Sequence, residues 1–179
     1  MKLRDNGRIF VVFYMAGFLM GVLYANVISK DYIAAMGIFD EYFLYNYVQA
    51  DLEVQEYLWY LFRVRCLPVA ALFAAGYLKI RKGVALMSVA WTGFLCGTLL
   101  TASVMKLGVK GIFLCLVAGF PQLIFYAAGI FILIWTMYYY PSTKWNSQKI
   151  MALFLLIGIG IISECYVNPP LLKMFLKRI

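Results

Sequence analysis

Residues 150–170 read IMALFLLIGIGIISECYVNPP. Eighteen residues, up to Val167, are almost wholly apolar, close to the roughly 20 that an α-helix needs to cross a bilayer. One carboxylate, Glu164, lies inside that run. A charged group in hydrocarbon is costly, so an intramembrane Glu marks a site that something else must stabilise. Asn168 and the pair Pro169-Pro170 follow. Proline lacks the N–H and disfavours helix in the residue before it, so the prolines are expected to stop the helix. Lys173, Lys177 and Arg178 then form a short basic tail.

The rest of the chain has the same character. Of its 179 residues 65% are hydrophobic and 13% are charged. Soluble domains carry about 25% charged residues. The apolar runs are continuous and do not alternate, which argues against a membrane β-barrel. The expected fold is all-α: a polytopic membrane protein with about five transmembrane helices in a single domain covering residues 1–179. The expected spans are 9–28, 58–78, 84–104, 112–137 and 150–167. The basic N-terminus, 1–8, precedes a first span too long and too poorly furnished with a cleavage site for a signal peptide. It reads as an uncleaved anchor.

Residues 29–57 make the only sizeable polar connection. They hold Asp31, Asp40, Glu41, Asp51, Glu53 and Glu56, out of eight acids in the chain. Phe39, Phe43, Tyr47, Ala50, Val54, Leu58 and Leu61 recur at spacings of three and four. That period describes an amphipathic helix, lying on the membrane surface or docking a partner. Lys2, Arg4 and Arg8 precede the first span and only Lys30 follows closely. The first helix usually sets orientation, so the N-terminus is placed in the cytoplasm. The acidic segment and the tail, 168–179, then lie outside.

The formal charge is +8, but the cations sit in small groups beside apolar runs. Orientation and anionic lipid explain them better than nucleic acid. There is no histidine, so Ser-His-Asp and the familiar zinc-hydrolase sites cannot be built. Cys66, Cys96, Cys115 and Cys165 have no metal-site spacing and read as small buried residues. No phosphate-loop motif is present. Neither an enzyme nor a cofactor is expected.

Local signals mark where helices bend or touch. Gly17 and Gly21 lie one turn apart, as do Gly93 and Gly97; such pairs permit close helix packing. Phe120-Pro121-Gln122 interrupts the fourth span, where a kink or break is expected. Gln122 should then face protein, or bond its own backbone. Tyr138-Tyr139-Tyr140 and Trp145 suit a membrane interface. Arg63 and Arg65 enter the second span on the side where the fifth span ends. They therefore reach the depth of Glu164, and one of them is expected to pair with it while the other snorkels.

Three stretches together resemble the stage II sporulation protein M family. They are Gly17-Phe18-Leu19-Met20-Gly21-Val22 with Ala25-Asn26, a middle block, and Ser163-Glu164-Cys165-Tyr166-Val167-Asn168-Pro169. The middle block comprises Leu67-Pro68, Lys82-Gly83, Gly93-Phe94, Gly97, Gly108-Val109-Lys110-Gly111 and Phe120-Pro121-Gln122. The resemblance implies a five-span membrane protein of endospore-forming bacteria that acts in forespore engulfment. It implies a non-enzymatic anchor for the peptidoglycan-cleaving stage II sporulation proteins D and P. Pro68, Gly83, Pro121, Gln122, Glu164 and Pro169 are the positions it carries over. Apart from that resemblance, a broken helix and a buried acid also suit a small transporter or exporter subunit with Glu164 in its path.

Overall fold

The computed structural model describes residues 2–28 and 53–177, all helix and short turns. Helix α1 is Lys2–Leu23, extended by a π-helical turn at Tyr24–Ile28. Helix α2 is Val54–Ala75, α3 is Arg81–Leu107 and α4 is Val109–Gly119. Helix α5 is Gln122–Tyr138, α6 is Ser147–Tyr166 and α7 is Asn168–Leu176. The amphipathic helix expected from residue 39 onward falls mostly outside the described residues. Its last part belongs to α2, which starts at Val54 rather than at residue 58.

Among the described residues, four helical stretches are long and apolar enough to cross a membrane: Gly7–Val27, Val54–Ala75, Arg81–Leu107 and Ser147–Leu176. The pair α4 and α5, bent by 66°, brings the number to as many as five if it counts as one. The break falls at Pro121, where the sequence places it. Pro121 has no N–H to continue the α4 ladder, and α5 restarts at Gln122. The Phe120–Pro121 bond is cis.

Helix α6 ends at Tyr166, just ahead of Pro169 and Pro170, as expected. After a single turn at Val167 they occupy the first turn of α7. There a missing N–H costs nothing, because the first N–H groups of any helix lack intrahelical partners. The basic tail is thus helical through Leu176. Pro68, by contrast, sits inside α2, on an exposed face, and the helix runs through it.

The contacts divide the chain into two compact units. One contains α1 and residues 86–115. In it α1 and α3 run parallel and touch through glycine. A methyl added to Gly17 would overlap the carbonyl of Ala90, and one on Gly21 the carbonyl of Phe94. The relation is reciprocal: Gly93 meets the carbonyl of Tyr14, and Gly97 that of Phe18. The two glycine pairs seen in the sequence are therefore each other's partners, backbone against backbone. Thr98 Oγ1 bonds its own helix at Phe94 O, 2.8 Å, and reaches Gly21 O at 3.5 Å. Beyond α3, Gly108 takes φ +58°, which a side chain disfavours, and so turns the chain into α4 within one residue.

The other unit contains residues 53–85 and 116–177. Here α2 and α5 run the same way and α6 runs against both. Leu133, Met137, Leu153, Ile157 and Ile161 fill the α5–α6 seam. Gly129 lies against Ile157 and Leu153, in ordinary van der Waals contact. Gly76, at the C-terminal end of α2, meets Met137.

A buried ion pair and a capped helix break

The second unit carries the polar residues that the sequence singles out. Glu164 is buried on α6, its side chain 9% exposed. Arg65 on α2 grips it with two bonds: Nε to Oε2 at 3.0 Å and Nη2 to Oε1 at 2.5 Å. This bidentate fork is the geometry in which a guanidinium matches a carboxylate best. Arg63, two residues away, points to a different face and is exposed. Of the two arginines, Arg65 is the partner.

A third group completes the cluster. Tyr126 on α5 donates its hydroxyl to Glu164 Oε2 at 2.6 Å. Its ring lies under the Arg65 guanidinium, 5.1 Å from centroid to Cζ. Gly160, one turn before Glu164, leaves the space that the Tyr126 ring fills. One carboxylate thus ties α2, α5 and α6 together. The sequence reading did not single out Tyr126. A signal was present: Tyr126 is four residues after Gln122, so the two share a face of α5.

The next layer, one turn away, secures the break. The carbonyls at the end of α4 have no helical donors. Asn168 supplies them from α7: its Nδ2 lies 2.8 Å from Ala118 O, 3.2 Å from Val117 O and 3.3 Å from Phe120 O. Gln122 faces protein, 5% exposed, and also donates to Ala118 O. A break with Gln122 facing protein is what is found; the alternative of a gentle kink is not, since the bend is 66° and the bond to Ala118 O crosses it. Its Oε1 is buried with no partner among the described residues. Asn168 is therefore a helix cap acting across 50 residues of sequence. Asn168→Leu should strip that donor and destabilise the fold by about 2 kcal/mol, the cost of an orphaned buried polar group. Thermal unfolding in detergent measures it, and wild-type stability would mean water replaces the amide.

The other candidates stand apart from this cluster. Pro169 is half-buried beside it and lines a surface groove with Val54, Tyr57 and Lys173. Pro68 is exposed on α2, and nothing lies within 4 Å of a methyl built on Gly83. No packing reason for a glycine at Gly83 is visible. Cys165 is buried and its Sγ is 3.8 Å from Val54 O; the other three cysteines are half-buried. Among the described residues no group of His, Cys, Asp or Glu could hold a metal ion.

No protein-family model, curated protein or solved structure matches this chain.

Proposed function

We propose that this chain is a non-enzymatic, multi-pass scaffold of the bacterial cytoplasmic membrane. On this reading it serves as the stage II sporulation protein M family does, in the mother-cell membrane that engulfs the forespore. It holds peptidoglycan hydrolases, the stage II sporulation proteins D and P, at the outer face. One observation supports a scaffold over a transporter. Both oxygens of Glu164 are occupied, by Arg65 and by Tyr126. A carboxylate held by a bidentate arginine serves as a structural tie rather than as a carrier site that loads and empties. The ordered motifs from Gly17 to Pro169 support the more specific assignment.

The partners are tested by mild crosslinking in sporulating cells followed by purification of the tagged chain. Wall hydrolases should co-purify, and their absence from crosslinked samples defeats the reading. Orientation is tested separately. A reporter active only outside the cytoplasm should work when fused after Ile179 and stay silent after Lys82.

The 66° break between α4 and α5, beside a Gln122 Oε1 with no partner among the described residues, favours a second reading as a transporter or exporter subunit. Glu164→Gln separates the two. It keeps an acceptor for Tyr126 and should leave a scaffold working, whereas ion-coupled transport through Glu164 would cease.

A further inference from the structure

The end of the second unit opposite Glu164 is built differently. The α2–α3 turn and the α5–α6 connection meet there. Residues 76–85 and 138–150 contain Lys79, Arg81, Lys82, Lys144 and Lys149 and no acid. Two of the cations lie over aromatic rings. Arg81 Cζ lies 4.1 Å from the centroid of Tyr140, and Lys82 Nζ 5.9 Å from that of Tyr138. Phe73 packs on Trp145 with centroids 4.9 Å apart. A guanidinium attracted to a ring face still has N–H donors for an outside acceptor.

A groove of about 330 Å³ runs from this end down the α5–α6 surface. Its lower part is apolar, walled by Phe131, Trp135 and Ala152. The Phe131 and Trp135 rings are paired at 5.4 Å. Its mouth is polar, formed by Thr143, Gln148 and Lys149. Lys149 Nζ donates to Lys144 O at 3.0 Å, which fixes the ammonium at the mouth and uses one of its three donors. The walls reach about two helical turns below Tyr138, or roughly 10 Å, the depth of the upper acyl region.

We propose that this groove is a binding site for one anionic phospholipid. Its phosphate sits at Lys149 and Thr143, and the upper part of one acyl chain lies along Phe131, Trp135 and Ala152. Two independent features select that occupant. The two connections at this end carry five cations and no acid, a charge complementary to a phosphodiester. The graded polarity of the groove matches a molecule that is charged at one end and hydrocarbon at the other. An acidic peptide would satisfy the mouth but not the walls.

The site rests on the chain's spanning a bilayer, and that premise is tested by itself: the protein should resist alkaline carbonate extraction. The lipid site is tested on the full chain by native mass spectrometry from detergent, with phosphatidylglycerol or phosphatidylcholine as the probe. One phosphatidylglycerol should be retained in preference to phosphatidylcholine. Lys149→Gln, a half-exposed position, should weaken retention about fivefold, as expected for one cation at a lipid surface. Ala152→Trp should fill the groove and abolish retention of the lipid. Lys106→Gln, a cation outside this cluster, should leave retention unchanged. Equal retention of the two lipids overturns the proposal. So does wild-type retention in Lys149→Gln, or displacement of the lipid by polyglutamate at equal charge. If Ala152→Trp misfolds, Lys149→Gln alone decides.

Discussion

Arg65→Leu should be among the most damaging single changes in the chain, at about 3 kcal/mol or more. It leaves the Glu164 carboxylate buried with only the Tyr126 hydroxyl for company. Removing one partner of a buried pair typically costs about 3–5 kcal/mol, because the other charge is stranded. The Arg65 side chain is 43% exposed, which places the cost toward the lower end. The reverse deletion should be milder. After Glu164→Leu the arginine can turn its long stem toward the surface. Glu164→Gln should be milder still, about 1–2 kcal/mol, since the amide oxygen still accepts one bond. Arg63→Leu should change stability by less than about 0.5 kcal/mol, as for an exposed residue outside any network. Thermal unfolding of the four variants in one detergent gives the ranking. Equal effects of the Arg63 and Arg65 variants would mean that the pair contributes nothing. The exchange Arg65→Glu with Glu164→Arg should recover part of the loss, because the attraction survives while the fork geometry does not.

The second large effect belongs to the first unit. Gly93→Leu should prevent α1 from docking on α3. The obstacle is the carbonyl of Tyr14, a backbone atom that no rotamer change can move. Ordinary overpacking costs about 1–3 kcal/mol, and here the helices must separate along their whole contact, so more than about 3 kcal/mol is expected. Gly17→Leu should do the same against Ala90 O. Gly83→Ala is the control and should be silent or slightly stabilising, because nothing occupies the space its methyl would take. A cysteine pair placed at exposed flanking positions of α1 and α3 would report the docking by its crosslinking yield. Unchanged yield in Gly93→Leu would refute the contact.

Much of this was legible in the sequence, and the remainder failed for identifiable reasons. Helical class and the apolar runs follow from composition. The break at Pro121 follows from a missing donor. The Arg–Glu pair follows from alternation of spans, which brings the start of the second and the end of the fifth to one depth. Alternation cannot say which arginine: Arg63 and Arg65 differ only in helix face, and the face is set by how α2 rotates against α6. Tyr126 was passed over because a tyrosine in an apolar run resembles core until its hydroxyl has a partner. The cap by Asn168 joins residues 50 apart, beyond any local pattern. The prolines after it end α6 as expected and also open α7, because proline stops a helix that precedes it and starts one that follows. The sequence carries both signals at the same place.

The interleaving of the two units has a consequence for how the chain must be made. The first unit needs residues up to Cys115, and the second needs residues from both before Ala85 and after Leu116. No single cut separates them. During synthesis Arg65 is made 99 residues before Glu164. Until then it has no carboxylate to answer it, and water or lipid phosphate must serve. A chain that stops between residues 65 and 164 carries that arginine without its carboxylate, and the guanidinium must then turn toward the surface. The tie among α2, α5 and α6 therefore closes only when the end of α6 has been made.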